Sequence, residues 1–383
     1  MAAAFNAPLA VPNDGLLPTD VLREILLRLP ANVLCRLRLV CRSWRSLTSD
    51  PIFAKAHSSR HPLVVCLHAD AGRRGCSREI RFVDLSGNIV KRISTGQDWD
   101  GHGLTLQDNL LCVTHVKGKA CVVHPATGAI TVLPSDIAAK HENNSTAIYS
   151  MSIIGQVPST GEYKVLRIHR YHTDDEPEQT CEVITLGGSS SGGAGSWRVR
   201  QRPPIRVMTT SFHEAVVGGV AYFLLDGYLL ANVKRDAIAS FDLATEEWRS
   251  TTFRGPLNDL LTGADDEHRI SLYVARLNGC LVTICRNYQD WRDEDCCIDL
   301  WFSMDIDKGL WTKRYCLRSV PSLLHEGLVF PLVALDNERI LFWVNGVGIL
   351  REYNTRASTS TNLATIQNCF SVSMYQGSLL CSS

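Results

Sequence analysis

The sequence predicts a mainly β protein with a small α-helical N-terminal module: three helices followed by a β-propeller of six or seven blades. Two observations carry this prediction. Apolar residues recur at helical spacing between Leu17 and His57, and short apolar runs bounded by turn residues replace that spacing beyond about residue 60. The runs also repeat about every 40 to 60 residues, which is typical of four-stranded propeller blades.

The helical module is predicted to span residues 16–58, after a flexible N-terminus at residues 1–15. Pro18 suits a first helical position, and Asp20 and Glu24 lie near the positive end of the helix dipole. Pro30 ends this helix, and Asp50-Pro51 breaks the pattern again. A segment so short hides only about 60% or less of its surface when folded alone. Its remaining apolar face therefore needs a partner.

The ordered residues of this module resemble the F-box family. They are Leu17-Pro18, Asp20, Glu24-Ile25-Leu26, Arg28-Leu29-Pro30, Arg36, Arg38, Val40-Cys41-Arg42, Trp44-Arg45, Asp50-Pro51 and Phe53. Val33 departs from the pattern, because such boxes more often carry a small polar residue there. The alternative is an ordinary three-helix cap folded onto the downstream domain.

The F-box resemblance implies docking onto a Skp-family adaptor, which links the chain to a cullin-based ubiquitin ligase. The residues that we expect to contact the adaptor, or to support the contact, are Leu17, Pro18, Val21, Leu22, Ile25, Leu26, Leu29, Pro30, Leu34, Leu37, Val40, Cys41 and Trp44.

The rest of the chain, residues 61–380, is predicted to be all-β. Its apolar runs are rich in Val, Ile, Leu and aromatic residues: PLVVCLH, LLCVTHV, YKVLRIH, GVAYFLL, GCLVTIC and RILFWV. Six hairpin-like units also repeat, beginning at Phe82, Val122, Cys181, Ser240, Trp301 and Arg351. Trp197, Trp248 and Trp311 hold equivalent places in these units, and we expect them to pack between blades.

These repeats resemble the F-box-associated, kelch-like domains of plant F-box proteins. The resemblance is carried by the turn His124-Pro125-Ala126-Thr127-Gly128, by the segment from Gly161 to Leu166 and by the segment from Asp305 to Trp311. His124 stands where Asn is more usual.

Composition disfavours several classes of function. The chain has 39 basic and 39 acidic residues and a pI near 7.2, whereas nucleic-acid binders commonly exceed about 9. No run approaches the roughly 20 apolar residues of a membrane span, and the N-terminus does not read as a secretory signal. The 14 cysteines include no C-x-x-C pair, so we expect mostly buried free thiols and neither metal nor cofactor. We expect the protein in the cytoplasm, the nucleus or both.

Catalytic motifs are missing from the sequence, which has no G-x-S-x-G, P-loop, G-x-G-x-x-G or H-E-x-x-H pattern. His169 and His172 suggest a polar strand end or loop, and Ser303-Met304-Asp305 suggests a blade turn. We therefore expect no catalytic residues and a non-catalytic adaptor that binds an unknown target protein. The candidate target-binding loops are residues 171–180, 187–196, 254–268 and 286–296. The alternative is a sugar-binding or hydrolytic propeller with the F-box as a secondary feature.

Overall fold

The computed structural model describes residues 17–69, 77–95, 101–115, 119–134, 147–171, 178–187, 195–210, 214–226, 236–257, 270–287, 297–317, 329–375 and 377–380. The predicted flexible N-terminus, residues 1–15, lies outside them. The described chain begins with four helices: α1 (Thr19–Leu26), α2 (Ala31–Leu37), α3 (Arg42–Ser49) and α4 (Pro51–Arg60). None of these helices is long and apolar enough to cross a membrane.

The module has four helices where the sequence predicted three. Asp50 and Pro51, expected only to break the pattern, also begin α4. The Asp50 side chain accepts a hydrogen bond from the backbone N–H of Ile52 at 2.8 Å, and Pro51 occupies the first turn, where its missing N–H leaves no bond unmade.

In the described residues, the β region forms six four-stranded antiparallel blades, and the first strand of each blade lines the central cavity of the propeller. From first to fourth strand, blades 1 to 3 are β24 (Cys369–Tyr375), β1 (Leu63–Ala69), β2 (Ser77–Asp84) and β3 (Ile89–Ser94); β4 (Gly101–Gln107), β5 (Leu110–His115), β6 (Ala120–His124) and β7 (Ala129–Val132); and β8 (Ala147–Gln156), β9 (Tyr163–Tyr171), β10 (Glu178–Thr185) and β11 (Arg198–Arg200).

Blades 4 to 6, in the same order, are β12 (Glu214–Val217), β13 (Val220–Leu224), β14 (Ile238–Asp242) and β15 (Glu247–Trp248); β16 (Ile270–Leu277), β17 (Cys280–Asn287), β18 (Cys297–Asp305) and β19 (Leu310–Leu317); and β20 (Val329–Ala334), β21 (Arg339–Val344), β22 (Ile349–Asn354) and β23 (Thr359–Thr365). A single residue pair, Ser77 with Gly101, joins blades 1 and 2 into one eight-stranded sheet. The prediction of six or seven blades therefore resolves to six.

The ring closes because the last strand of the chain completes the first blade. β24 pairs antiparallel with β1, with Leu63 opposite Tyr375 and Val64 opposite Met374. The innermost strand of blade 1 thus comes from the far end of the sequence, and blade 1 lacks one strand until this pairing forms.

The predicted repeats correspond to fixed places in the blades. The six apolar runs are β1, β5, β9, β13, β17 and β21, the second strand of each blade, and the six hairpin units are the third and fourth strands. The three tryptophans pack between blades, as predicted. Trp197 lies in the cluster between blades 2 and 3, Trp248 in that between blades 3 and 4, and Trp311 in that between blades 4 and 5.

Strand direction gives the ring two distinct faces. Because neighbouring strands are antiparallel, the connections from first to second and from third to fourth strand lie at one face, which we call the near face. The connections from second to third strand and from blade to blade lie at the opposite, far face. Five of the six longest connections are at the far face, at residues 133–146, 201–213, 225–237, 249–269 and 318–328, and the sixth, residues 186–197, is at the near face.

The helices join the propeller at the near face. α4 ends at Arg60, and β1, the second strand of blade 1, begins at this face with Leu63. Leu26, Leu34 and Phe53 of the helices share one apolar cluster with residues of blades 1 and 2, including Leu63 and Phe82. The junction leaves a cavity of about 280 Å³ between α4, the β2–β3 turn and the segment after β24. The predicted boundary between residues 58 and 61 stays a prediction, since α4 runs through it.

Candidate adaptor-binding surface

Helix α1 carries apolar side chains on two faces. Leu22 and Leu26, four residues apart, point inward and are 6% and 1% exposed. Val21 and Ile25 of α1 form a second row with Leu17, which precedes the helix, and each of the three is 44% to 45% exposed. We call this second row the outer stripe. Burial in the protein explains the inner row, whereas the outer stripe leaves apolar surface in water.

Helix α4 holds the inner side of α1 in place. His57 Nε2 lies 2.8 Å from the carbonyl oxygen of Leu29, and His61 Nε2 lies 2.9 Å from that of Leu27. Both carbonyl groups lie just beyond the end of α1, where carbonyl groups have no partner within the helix. On the surface, Arg60 donates two hydrogen bonds to the Glu24 carboxylate, at 2.9 and 3.1 Å. These contacts fix the orientation of α1 and therefore of the outer stripe.

The environment of His57 favours its neutral form. Burial lowers the pKa of the His57 imidazole. The hydrogen bond to Leu29 raises this pKa by a smaller amount, and the neighbouring His61 ring lowers it further. The His57 and His61 rings stack with centroids 4.5 Å apart. Protonation of His57 therefore opposes the packing of α4 against α1.

A second exposed apolar area lies between α2 and α3. Leu39 is 80% exposed and Val40 is 63% exposed. Behind them, Arg38 donates hydrogen bonds to the carbonyl oxygen and the side-chain oxygen of Thr48, at 2.7 and 3.2 Å, and Thr48 is fully buried. This contact ties the end of α2 to α3, so the apolar residues sit on an anchored turn.

The residues expected at the adaptor interface fall into three groups. Seven are exposed: Leu17, Pro18, Val21, Ile25, Pro30, Val40 and Cys41. Three are partly buried and pack on the inner cluster: Leu29, Leu37 and Trp44. Three are buried: Leu22, Leu26 and Leu34. The exposed group could meet an adaptor directly and the others could support it, so the assignment stays a prediction with two distinct parts. Two further exposed residues were not among those predicted from the sequence: Leu39 is 80% exposed and Ile52 is 66% exposed. What could have indicated them is that each is an apolar residue outside the periodic apolar stripes.

The four predicted target-binding loops divide between the faces of the propeller. Residues 171–180 and 286–296 connect second to third strands, and residues 254–268 connect blades 4 and 5, so these three begin and end at the far face. Residues 187–196 connect a third strand to a fourth, at the near face. Most of these loops, at residues 172–177, 188–194, 258–269 and 288–296, lie outside the described residues.

A channel runs along the propeller axis between the six innermost strands, with a volume of about 160 Å³. Most of the residues that line it have apolar side chains, and Thr105, Arg276 and Ser371 are among the polar ones. In the part of the channel that the structure describes, Glu214 is the single carboxylate, and no histidine or aspartate lines the wall. Glycoside hydrolysis commonly needs two carboxylates facing one substrate.

A buried polar cluster lies in blade 3, where sequence reasoning expected a strand end or loop. His169 is in β9, 1% exposed, and its Nδ1 lies 2.6 Å from Ser150 Oγ. The same cluster holds Arg167 and Glu182, paired across β9 and β10 at 2.6 Å with both side chains fully buried. His172 lies outside the described residues. Ser, His and Glu together could form a nucleophilic site, but these three are at most 4% exposed, and the cluster stabilises the blade.

Glu246 makes a second ionic centre, between blades 3 and 4. Its carboxylate accepts Lys164 and Arg198 at 2.9 and 2.5 Å, and it also pairs with Arg200. Burial raises the pKa of Glu246, but hydrogen bonds from these three cations outweigh burial and lower the pKa to about 2. The backbone of Glu246 has φ 59°, a strained conformation for a residue with a side chain. The ionic contacts hold this turn.

One group of possible metal ligands occurs among the described residues, although the sequence predicted none. Cys297, Asp299 and Cys316 share one face of blade 5, with the two sulfurs 3.3 Å apart. Lys313 Nζ lies 3.1 Å from Asp299 Oδ2, so a cation already neutralises the carboxylate. Burial, followed by the hydrogen bond with Cys316, raises the pKa of Cys297 to about 12, which favours the neutral form of the Cys297 thiol.

Comparison with known proteins agrees with this two-part architecture. The F-box domain family matches residues 16–55, and the F-box associated beta propeller domain family matches residues 91–336. The second match spans more than half of the chain, and the chain therefore belongs to the F-box proteins that carry an F-box associated beta propeller domain.

Its relatives include F-box protein CPR1 of Arabidopsis thaliana, 23% identical over 87% of this chain and 81% of CPR1. The F-box protein At3g07870 of the same plant is 26% identical over 89% of this chain and 83% of its own length. Among solved structures, the periplasmic gluconolactonase PpgL of Pseudomonas aeruginosa aligns over 82% of this chain and 99% of its own, with 10% identity and a TM-score of 0.44. The propeller assignment rests on the order of the strands within each sheet.

Proposed function

We propose that this chain is the substrate-recognition subunit of an SCF-type cullin-RING ubiquitin ligase. The F-box binds a Skp-family adaptor and through it a cullin, while the propeller binds the target protein. The observation that carries the proposal is the outer stripe of α1, which lies in a segment that matches the F-box domain family. The proposed role places the protein in the cytoplasm, the nucleus or both.

Adaptor binding is supported by the apolar surface that the F-box leaves in water. The outer stripe and the Leu39–Val40 turn expose large aliphatic side chains, although the same helices bury others almost completely. Contiguous exposed apolar surface commonly marks a protein interaction site. The inner contacts of α1 with α4 hold the stripe rigid, which lowers the entropy lost on binding.

Target binding is supported by the two-faced geometry of the propeller. The F-box joins the near face, whereas five of the six longest connections lie at the far face. Loops on a rigid β scaffold commonly carry recognition. With this arrangement the adaptor and the target would occupy opposite sides of the ring and would not compete for surface.

A non-catalytic role is supported by the polar chemistry of the described residues. The axial channel offers a single carboxylate, and the Ser150–His169–Glu182 set is closed to solvent. The proposed chain positions a target, and the other subunits supply ubiquitin transfer. We propose neither cofactor nor metal, and no partner of nucleic acid or membrane type.

The test is reconstitution of the ligase from the full chain, a Skp-family adaptor, a cullin, a RING subunit and a conjugating enzyme. We expect the chain to co-migrate with the adaptor in gel filtration and to form ubiquitin conjugates only when every component is present. The Leu17→Ala/Pro18→Ala double variant should lose the adaptor. The Val132→Ala variant is the control, because Val132 is 66% exposed on an outer strand of the propeller. Unchanged co-migration of the double variant would contradict the proposed interface.

A further inference from the structure

Two thiol groups meet where the propeller ring closes. Cys66 lies in β1 and Cys369 is the first residue of β24, so 303 positions separate them in the sequence. Their sulfur atoms are 2.6 Å apart. The proximity is therefore a product of the ring and not of local chain geometry.

The register of the two strands explains this contact. Cys369 is opposite His68, two residues beyond Cys66, and the pairing shifts between Val65 and Leu67. Side chains two residues apart share a face of a strand. Cys66 and Cys369 accordingly join the same apolar cluster, between blades 1 and 6, with exposures of 0% and 6%.

The surroundings assign different roles to the two sulfurs. The hydrogen bond between the thiols, followed by burial, raises the pKa of Cys66, whereas the same bond lowers the pKa of Cys369. Arg81, which pairs with Glu79 at 2.8 Å, also lowers the pKa of Cys369. Cys369 is thus the better thiolate, and it is also the more exposed of the pair.

We propose that Cys66 and Cys369 are a site of oxidative modification, where a disulfide forms and covalently closes the propeller ring. The oxidant is a peroxide. The Cys369 thiolate attacks one peroxide oxygen and breaks the O–O bond, giving a sulfenic acid and hydroxide, which takes up a proton as water. The Cys66 sulfur then attacks the sulfenic sulfur, its proton leaves with the hydroxyl group as water, and the S–S bond forms. Two thiols and one peroxide yield one disulfide and two waters.

The disulfide would link the first and last strands of the propeller. S–S bonds are about 2.05 Å long, so the sulfurs need to move together by roughly half an ångström. Cross-links that close long loops restrict the unfolded chain most. Oxidation should therefore protect the ring against unfolding, whereas the reduced protein relies on the β1–β24 hydrogen bonds and packing.

The first experiment maps disulfides in the full wild-type chain. The protein is treated with hydrogen peroxide or with dithiothreitol, alkylated, digested without reduction and analysed by mass spectrometry. We expect a linked peptide pair containing Cys66 and Cys369 only after peroxide, with a melting temperature raised by about 5 °C or more. If both cysteines are fully alkylated after peroxide treatment and denaturation, the proposal is wrong.

Variants separate this pair from other thiols. Cys369→Ser should abolish both the linked peptide and the peroxide-dependent rise in melting temperature. Cys316→Ser is the matched control, because it removes one member of another close thiol pair, with Cys297, and should leave both effects intact. A temperature rise that persists in Cys369→Ser, or disappears in Cys316→Ser, assigns the effect elsewhere and overturns the proposal. Peptide mapping of the wild type decides the matter even where a variant misfolds.

Discussion

The outer stripe of α1 offers the sharpest test of the F-box surface. We consider the triple variant Leu17→Ala/Val21→Ala/Ile25→Ala in the full chain. The three side chains keep 44% to 45% of their surface exposed, so nearly half of each remains available to an adaptor. Alanine favours helix at Val21 and Ile25, and none of the three side chains belongs to the buried core, so the variant should fold.

The expected loss of affinity follows from these exposures. Complete burial of one such side chain is worth about 1.5–3 kcal/mol, and the fraction still exposed therefore corresponds to about 0.7–1.3 kcal/mol. Three residues give about 2–4 kcal/mol, which weakens binding by roughly 30- to 1,000-fold.

Isothermal titration of the adaptor into each protein measures this loss. Val132→Ala should bind like the wild type, and Leu22→Ala should instead lower the melting temperature, since Leu22 is 6% exposed and its truncation costs about 2–5 kcal/mol of stability. A triple variant that melts like the wild type and binds the adaptor with unchanged affinity would refute the reasoning.

Three further predictions concern stability and domain independence. Glu246→Gln should lower the free energy of unfolding by about 2–4 kcal/mol in urea titrations, because three cations lose their carboxylate, while Glu338→Gln at the surface changes little. The pKa of Glu246, about 2 in the folded protein, lies below its unfolded value, so its contribution is present at neutral pH and is lost as the pH falls towards 2. Burial lowers the pKa of His57, so as the pH decreases the unfolded chain takes up its proton first, and the folded protein loses stability at pH values below about 6.5. His57→Gln should reduce this dependence of the melting temperature on pH, whereas His124→Gln, at an exposed position, should not. A chain that begins at residue 61 should show the circular dichroism of a β protein and bind no adaptor, and aggregation of this chain would mean that the helices complete the propeller core.

The sequence predicted the second, third and fourth strands of the blades, because their residues follow simple local patterns. The second strand of each blade is packed between neighbouring blades, so it reads as an apolar run, and the third and fourth strands are joined by turn residues in most blades. The innermost strands escaped notice because they line the channel. Thr105, Arg276 and Ser371 interrupt the apolar pattern in three of them.

The sequence could not reveal long-range pairing or the orientation of α1. The pairing of Leu63 with Tyr375 leaves no local signal. In α1, Val21 and Leu22 both fit an apolar helical stripe. Leu22 is nevertheless buried and Val21 is half-exposed, because α2 and α4 pack on one side of α1 only. Likewise, Asp50-Pro51 ends one helix and begins another with the same residues.

Completion of the first blade by β24 has a consequence for synthesis on the ribosome. β24 is the last of the described strands along the sequence, so it leaves the ribosome after the other strands of the ring, whereas the four helices emerge before all of them. N-terminal segments generally fold first during translation. We therefore expect nascent chains to display the F-box before the ring can close. A stop codon before Cys369 would fix this intermediate permanently: its product would carry the F-box but lack the innermost strand of blade 1. Under the proposed function, such a product would compete with the intact protein for the adaptor without a closed ring.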